Sequence, residues 1–480
     1  MIMNITAKKL TKSIAAGLLS SVLVFQGCGD YFDVGNNPNL VTEPSLNSLM
    51  ASVTHRAGMN AYRYGNAVAN YVQYIASPSQ GSSSDIYEIT NLSTTWSQAY
   101  YGMSDAHDMI VGAEESGADL HAGIGKLLTA YQLSLVADSW GTAPYTEAFN
   151  KVETFSPVYD SPEQLYASIG QLIDEAIAAL NSTDATMPLD PALDVIHGGD
   201  VGAWIKTAYG LKARHLNKIS KKSSYDPQAV LTALDNAYMS ANDDMTMGVF
   251  SGNNPWAQIA LDNLGALLGG WLSTNLVNHL NGETYGVIDP RVGKITDLTV
   301  NNDYVGTPNG GGNQGPLANT VHDQCYISTN CPLTSEVSPI YIMTYAELKF
   351  VEAEAALRAG LRSRAYVAYL AGIQATMNLL EVASGDAQNY IEEPSVSVGE
   401  LGLTLNHIFK EKYVATYLNF EAWNDARRHD YGYQGFQMPE GAVLPTFIRR
   451  IAIPATEIVN NSANIPEQES LDTPLWWDMP

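Results

Sequence analysis

The sequence predicts a mainly α-helical protein, an irregular array of tetratricopeptide-like helix pairs with a loop-rich insertion on one side. Three observations lead there. Apolar residues recur at three- and four-residue steps over most of the chain, the period of a helix with one buried stripe. Adjacent helical stretches form hairpins, the clearest of them a pair of roughly 34–40 residues, the size of a tetratricopeptide unit. Between about residues 241 and 340 the composition turns to Gly, Asn, Pro, Asp and Thr, which suits loops.

The elements follow in order. Ile124, Leu128, Tyr131 and Leu135 form one stripe on a helix that ends near Asp138-Ser139-Trp140-Gly141. Ser161-Pro162-Glu163-Gln164 is a helix start, because Ser caps, Pro fits the first helical position and Gln three residues on closes a capping box. Leu165, Ile169, Leu172, Ala176 and Leu180 continue that helix. Trp204, Ala208, Leu211, His215 and Ile219 mark the next, and Tyr225-Asp226-Pro227 opens a partner running to about Met239, so the two make an αα-hairpin. A clearer hairpin turns at Gly360, with Tyr341 to Ala355 before it and Tyr366 to Leu380 after it. One long helix is expected from about Leu401 to Arg428, and the tail from Gly432 reads as loop.

The first segment is an address. Residues 1–27 contain Lys8, Lys9 and Lys12, no acid, and an apolar stretch from Ile14 to Phe25, the plan of a signal peptide. Twelve helical residues rise only about 18 Å, short of a bilayer core of roughly 30 Å. Gly27-Cys28 resembles a bacterial lipobox, in which Cys28 would be the site of lipid attachment and the mature N-terminus; an incidental cysteine near the processing site is the alternative. Acyl chains contribute about 0.8 kcal/mol per buried CH₂ and would hold the protein on a membrane. The expected organisation is a signal peptide over 1–27, a lipidated tether over 28–44 and a single helical domain over 45–480 carrying the insertion at about 241–340.

Composition narrows the function. The 480 residues include 50 Asp+Glu against 25 Lys+Arg, a net charge of −25, so a nucleic-acid partner is not expected: phosphate binding needs clustered cations. Three cysteines, Cys28, Cys325 and Cys331, exclude a disulfide scaffold and a CxxC zinc cluster. No metal site and no cofactor are expected. The glycine-rich run Gly306–Pro316 lacks the Lys-Ser/Thr ending of a phosphate loop, and no GxSxG or HExxH string occurs. Cys325 and Cys331 lie in one loop, where an oxidising compartment would permit a disulfide; two free thiols are the alternative. Glu411, Glu421, Arg427 and Arg428 lie at helical spacing and suit surface or hairpin ion pairs of small individual worth.

Several strings then point to one family. Asp138-Ser-Trp140-Gly141-Thr-Ala-Pro144-Tyr145-Thr-Glu147-Ala148 resembles the D-x-W-G-D-x-P-Y-x-E-A motif of the SusD/RagB family of outer-membrane nutrient-binding lipoproteins of Bacteroidetes, with Thr142 in place of the usual Asp. Asp33-Val-Gly-Asn-Asn37-Pro38-Asn39, Asp289-Pro290-Arg291, Thr344 to Ala355, and Glu411-Lys-Tyr413 through Arg428 are similar to further segments of that family, in its order. The resemblance is to the branch described as starch-binding and associating with the outer membrane. It implies a non-catalytic, lipid-anchored cell-surface protein. Such a protein captures a nutrient, commonly an oligosaccharide, and passes it to a TonB-dependent SusC-like transporter.

Sugar rings present apolar C–H faces and hydroxyls, so their sites combine flat aromatic rings with amides and carboxylates. The candidates are Tyr87 and Trp96 in an aromatic-rich stretch, Trp256, Trp271 and Tyr285 in the insertion, and Tyr304, Asn309 and Asn313 in a glycine-rich loop able to close over a ligand. For each the alternative is core packing or a plain surface loop. Two other functions stay open. A surface glycoside hydrolase would need a carboxylate pair such as Asp138 with Glu147, about 5–9 Å apart, and a helical scaffold would bind proteins without any glycan.

Overall fold

The computed structural model describes residues 44–149, 155–264, 269–315 and 321–480. The signal peptide, Cys28 and all but the last residue of the tether lie outside the described residues. The remainder, Leu46–Pro480, forms one compact unit.

Helices α1 (Leu46–Val68), α2 (Ser93–Ser116), α3 (Asp119–Trp140), α4 (Pro162–Leu180), α5 (Val201–Lys218) and α6 (Pro227–Leu234) each pack on the next in chain order. Local chemistry sets their ends. At Gly117 the chain turns with φ +68°, and its N–H closes on the Ala113 carbonyl. Ser161 and Gln164 form the expected capping box in front of Pro162, and Asp226 caps α6. Nearly every residue of α3 from His121 to Trp140 is buried, because other helices cover it on several sides. Leu127, Leu128 and Leu133 are fully enclosed there, each worth about 1.5–3 kcal/mol over exposure.

The second half repeats the plan less regularly. Short helices α7 (Pro255–Leu264), α8 (Thr274–Leu280) and α9 (Val292–Ile295) lie in the loop-rich stretch. The hairpin α10 (Tyr345–Arg358) and α11 (Arg362–Leu379) turns at Gly360, φ +77°. Then come α12 (Ser384–Glu392), α13 (Gly399–Gly402), α14 (Leu405–Ala415), α15 (Glu421–Arg428) and α16 (Ala455–Asn460). Helix α10 packs on α5, α6 and α14 and so joins the two halves. Two short antiparallel ladders stitch the loop-rich stretch down: β1 (Ile75–Ala76) with β3 (Trp271–Leu272), and β2 (Met245–Met247) with β4 (Ile340–Met343).

Two expectations are corrected here. The single helix over 401–428 is instead the end of α13, then α14 and α15, the last two separated by a turn in which Leu418 takes φ +61°. The cause is tertiary: the Leu418 carbonyl sits against Gly65 of α1, where an added Cβ would come within 2.3 Å of the oxygen. Nor are Glu411, Glu421, Arg427 and Arg428 on the surface; all four are buried. Arg428 bonds both oxygens of Glu354, at 2.8 and 2.9 Å, and Asp425 at 2.6 Å. Arg214 grips Glu347 at 2.6 and 2.9 Å, and Glu421 lies within 3.9 Å of Arg214 and 3.8 Å of Lys218. Lys218 pairs with Asp138, and Arg291 is shared by Asp289 and Glu411. Burying a charge is tolerable only when it is paired and hydrogen-bonded; these groups pair with one another except Arg427, which donates to the Asp138 and Arg449 carbonyls and to Asn424, and Nη1 of Arg291 is left without a hydrogen bond.

Candidate functional site

The tail that leaves α15 builds one wall of a cleft. Asp430 and Tyr431, at φ +49° and +53°, turn the chain out of the helix, and Trp423 Nε1 donates to Tyr431 Oη at 2.8 Å. Downstream, Gln434 Nε2 donates to the Thr284 carbonyl at 2.7 Å, Gln73 Nε2 to the Gln437 carbonyl at 2.6 Å, and the Glu440 N–H to the Asn309 carbonyl at 2.9 Å. Glycine is required at 310: with φ +79°, a Cβ would lie 2.0 Å from the Glu440 oxygen. Three segments far apart in sequence are thereby pinned to one strip.

Asp85 fastens the floor. Its carboxylate accepts from Asn70 Nδ2 at 2.6 Å, the Ser77 N–H at 2.8 Å, Asn309 Nδ2 at 3.0 Å and the Gly310 N–H at 3.1 Å. Burial pushes the carboxyl above its ordinary value, and those four donors oppose the shift. The run 306–312 is consequently buried over most of its length. It is a fixed floor, which corrects the expectation of a loop that closes over a ligand.

Two chambers meet at Gln434. The first, about 460 Å³, is lined by side chains including Gln73, Asn275, Asn278, Glu283, Asn309 and Glu440. The second, about 560 Å³, is lined by Tyr285, Ser395, Thr404, Asn406, His407, Lys410, Gly432 and Tyr433. Both volumes fall in the roughly 300–1,000 Å³ range of small-ligand sites. Lys410 Nζ stands 4.7 Å from the centre of the Tyr285 ring, and His279 meets that ring edge-on at 4.8 Å. Burial, with Glu411 adding to it, raises the Tyr285 phenol well above its usual range. His407 Nδ1 accepts the Thr404 N–H at 3.2 Å, so the neutral ring carries its proton on Nε2. Burial, then Lys410, lowers the pKa of that ring.

Of the residues singled out from sequence, the structure brings Tyr285 and Asn309 to the cleft. Asn309 lines it with its amide already engaged, donating to the Ile75 carbonyl at 2.9 Å and accepting from Ser273 Oγ at 2.7 Å. Tyr304 and Asn313 line neither chamber. The Tyr304 carbonyl accepts from Asn281 Nδ2 at 3.1 Å, and the Asn313 N–H donates to the Pro78 carbonyl at 2.8 Å. Tyr87, Trp96, Trp256 and Trp271 are 0–4% exposed, which corrects the expectation of open aromatic platforms. Trp96 packs between Tyr100 and Trp140, Trp256 on Tyr62, Trp271 on Tyr326 and Tyr87 on Tyr71. The space beside Trp256 is only about 40 Å³.

Cys325 and Cys331 are free, buried thiols, so the expected disulfide is corrected too. Their partners differ: Cys325 Sγ faces the Asp297 carbonyl at 3.9 Å, whereas Cys331 sits at the turn its N–H makes with the Ser328 carbonyl. Burial pushes the Cys325 thiol up to about 11. Asp138 and Glu147 do not form a hydrolytic pair. Asp138 is buried on Lys218 and accepts from Asn424 Nδ2 at 3.1 Å, Glu147 caps the Val158 N–H at 3.2 Å, and the space beside Asp138 is about 10 Å³, room for barely one water.

Sequence reasoning missed Gln73, Asn275, Asn278, Glu283, Lys410, Tyr433, Gln434 and Glu440. One signal was present: Gly432-Tyr-Gln-Gly-Phe-Gln437 packs aromatic and amide residues, the two sugar-binding types, into one short loop.

Among the described residues no group of three or more His, Cys, Asp or Glu is placed to hold a metal ion, and no helix is long and apolar enough to cross a membrane. No curated protein matches the chain. Among solved structures it is similar to a SusD/RagB family protein from Bacteroides thetaiotaomicron, at 21% identity and TM-score 0.75, covering 91% of this chain and 99% of that one. A chitin-binding SusD homolog from Flavobacterium johnsoniae matches at 21% identity and TM-score 0.75, over 90% of this chain and 98% of that one. A SusD homolog from Bacteroides fragilis matches at 19% and 0.71, over 90% and 99%. The family model described as "Starch-binding associating with outer membrane" matches residues 38–451, and with the helical architecture and the buried motif charges in place, the chain belongs to the SusD-like family.

Proposed function

We propose that this protein is a cell-surface glycan-binding lipoprotein. It captures an oligosaccharide in the cleft divided by Gln434 and hands it to a TonB-dependent SusC-like transporter. A lipid on Cys28 holds it to the outer membrane. The carrying observation is the lining of the two chambers: amides of Gln73, Asn275 and Asn278 and carboxylates of Glu283 and Glu440 for hydroxyls, with the Tyr285 and Tyr433 rings for sugar faces. Hydroxyl-rich ligands need donors and acceptors in that density, and an aromatic ring orients the apolar face. The protein acts by binding, without turnover.

Calorimetry of the purified protein against neutral oligosaccharides, N-acetylated ones included because one solved relative is described as chitin-binding, tests the reading. Binding should weaken about tenfold in Tyr285→Ala and in Asn278→Ala. Unchanged affinity in both, or steady release of shortened sugars, would refute it. Cys28→Ser should move the protein out of the membrane fraction, and the lipidated form should retain a large integral membrane protein on pull-down.

A further inference from the structure

We infer that the chamber on the Lys410 side takes an anionic substituent of the glycan, a carboxylate or an ester sulfate on a sugar ring. The inference rests on the glycan-binding reading and sharpens it to acidic sugars.

The two chambers differ in sign. Glu283 and Glu440 line the first, together with amides and hydroxyls and without a Lys, Arg or His; Lys410 and His407 line the second without an Asp or Glu. In a chain of net charge −25, a carboxylate-free recess with two nitrogen donors is a local exception. At physiological salt, charges beyond about 8 Å are largely screened, so the field felt by a bound group is set by the lining together with the groups directly beneath it, Glu411 included.

Lys410 is largely buried and lines the recess. Its Nζ lies 3.1 Å from Glu411 and 3.3 Å from Tyr390 Oη, and 4.7 Å from the centre of the Tyr285 ring. Glu411 is itself held by Arg291 and by Tyr390 Oη at 2.9 Å, and Arg291 also neutralises Asp289. The two buried acids are therefore matched by two cations, and Lys410 is the one of those cations that reaches the chamber. An ammonium has three donors, so an incoming oxyanion can join Glu411 and Tyr390 on it. His407 presents Nε2–H beside it, and Thr404 is the N-cap and Asn406 and His407 lie in the first turn of the 11-residue helix α14, whose dipole favours an anion at that end. Charge-assisted bonds of this kind are about twice as strong as neutral ones.

The test compares acidic sugars with their neutral parents on the purified protein by ligand-observed NMR titration: galacturonate against galactose, and N-acetylglucosamine 6-sulfate against N-acetylglucosamine. At least one acidic sugar should bind about tenfold tighter than its parent, and which of the two does so tells carboxylate from sulfate. Lys410→Arg should keep the preference and Lys410→Met should abolish it. Because Lys410 touches the buried network, Asn406→Asp serves as the independent variant: it adds a carboxylate at an exposed lining position and should remove the preference while the thermal midpoint holds. Equal binding of acid and parent overturns this inference and leaves the glycan reading standing. Binding of none of the four overturns both.

Discussion

Arg291 is the sharpest place to ask whether the family strings are scaffold or site. The side chain is fully buried and donates to Asp289 at 2.9, 3.0 and 2.5 Å and to Glu411. Arg291→Met fills similar space and strands two buried carboxylates, with Lys410 left to offset one of them. Breaking a buried pair by removing one partner costs about 3–5 kcal/mol. For the unit Leu46–Pro480, an unfolding entropy of about 2.1 cal/mol/K per residue gives about 0.9 kcal/mol/K, so the midpoint should fall by about 3–5 °C. Differential scanning calorimetry reads this directly. Adding Asp289→Asn removes the carboxylate left over and leaves Glu411 on Lys410, so it should recover most of the loss, while glycan affinity at 20 °C stays within twofold. A fall below about 1 °C, or a double variant as unstable as the sum of its parts, would refute the reasoning.

Other outcomes follow from the same groups. Acid should weaken the fold in two stages. Burial depresses His215 and His279 to about 3, so their neutral-state stability is present above their ordinary 6.5 and is lost as pH falls below it. Burial would raise Glu411 and Glu421, but Arg291 with Lys410 and Lys218 with Arg214 outweigh it and hold both near 2, so their stability is present above 4.5 and is lost toward pH 2. Urea midpoints should decline gently from pH 6.5 and steeply below 4.5, and a flat profile down to pH 3 would contradict this. Trp96→Ala should cost about 3–5 kcal/mol as a buried aromatic truncation without changing affinity per folded molecule, measured by parallel unfolding and titration. Cys325 and Cys331 should resist a thiol reagent in the native protein and both react in denaturant without reductant; silence in denaturant would restore the disulfide.

The fold was legible where its causes are local. Ser161, Pro162 and Gln164 specify a helix start by bonds that span three residues, and Gly360 marks the hairpin turn by a conformation few other residues accept. The break between α14 and α15 was not legible, because no Gly or Pro stands there. Leu418 adopts its positive φ to set its carbonyl against Gly65, a residue hundreds of positions away that reads as an ordinary helical glycine. The same distance hides the cleft. Its walls come from Gln73, the 275–284 stretch, Asn309 and the 434–440 strip, none of them a motif by itself, whereas aromatic density led to rings that pack one another, as Trp96 does with Tyr100 and Trp140.

What the resemblance transmits follows from where its residues sit. Asp138, Asp289, Arg291, Glu347, Glu354, Glu411, Glu421, Arg427 and Arg428 are all buried, and they bond to one another or to backbone, as Arg427 does to the Asp138 and Arg449 carbonyls at 2.7 and 2.8 Å. Within the same string, Trp140 donates to the Ala452 carbonyl at 2.9 Å. These groups align helices from both halves of the chain, because a buried charge with several partners admits few alternative packings. The residues facing the two chambers lie mostly outside those strings; Gln73, Asn278, Glu283, Asn406 and Gln434 are free to differ without disturbing the charge network beneath. A chain can therefore keep this architecture at about one-fifth identity while the walls of its cleft change. On the proposed reading, ligand identity is read from the chamber walls, where a single Asn406→Asp would cancel the charge of Lys410, and not from the motif that identifies the family.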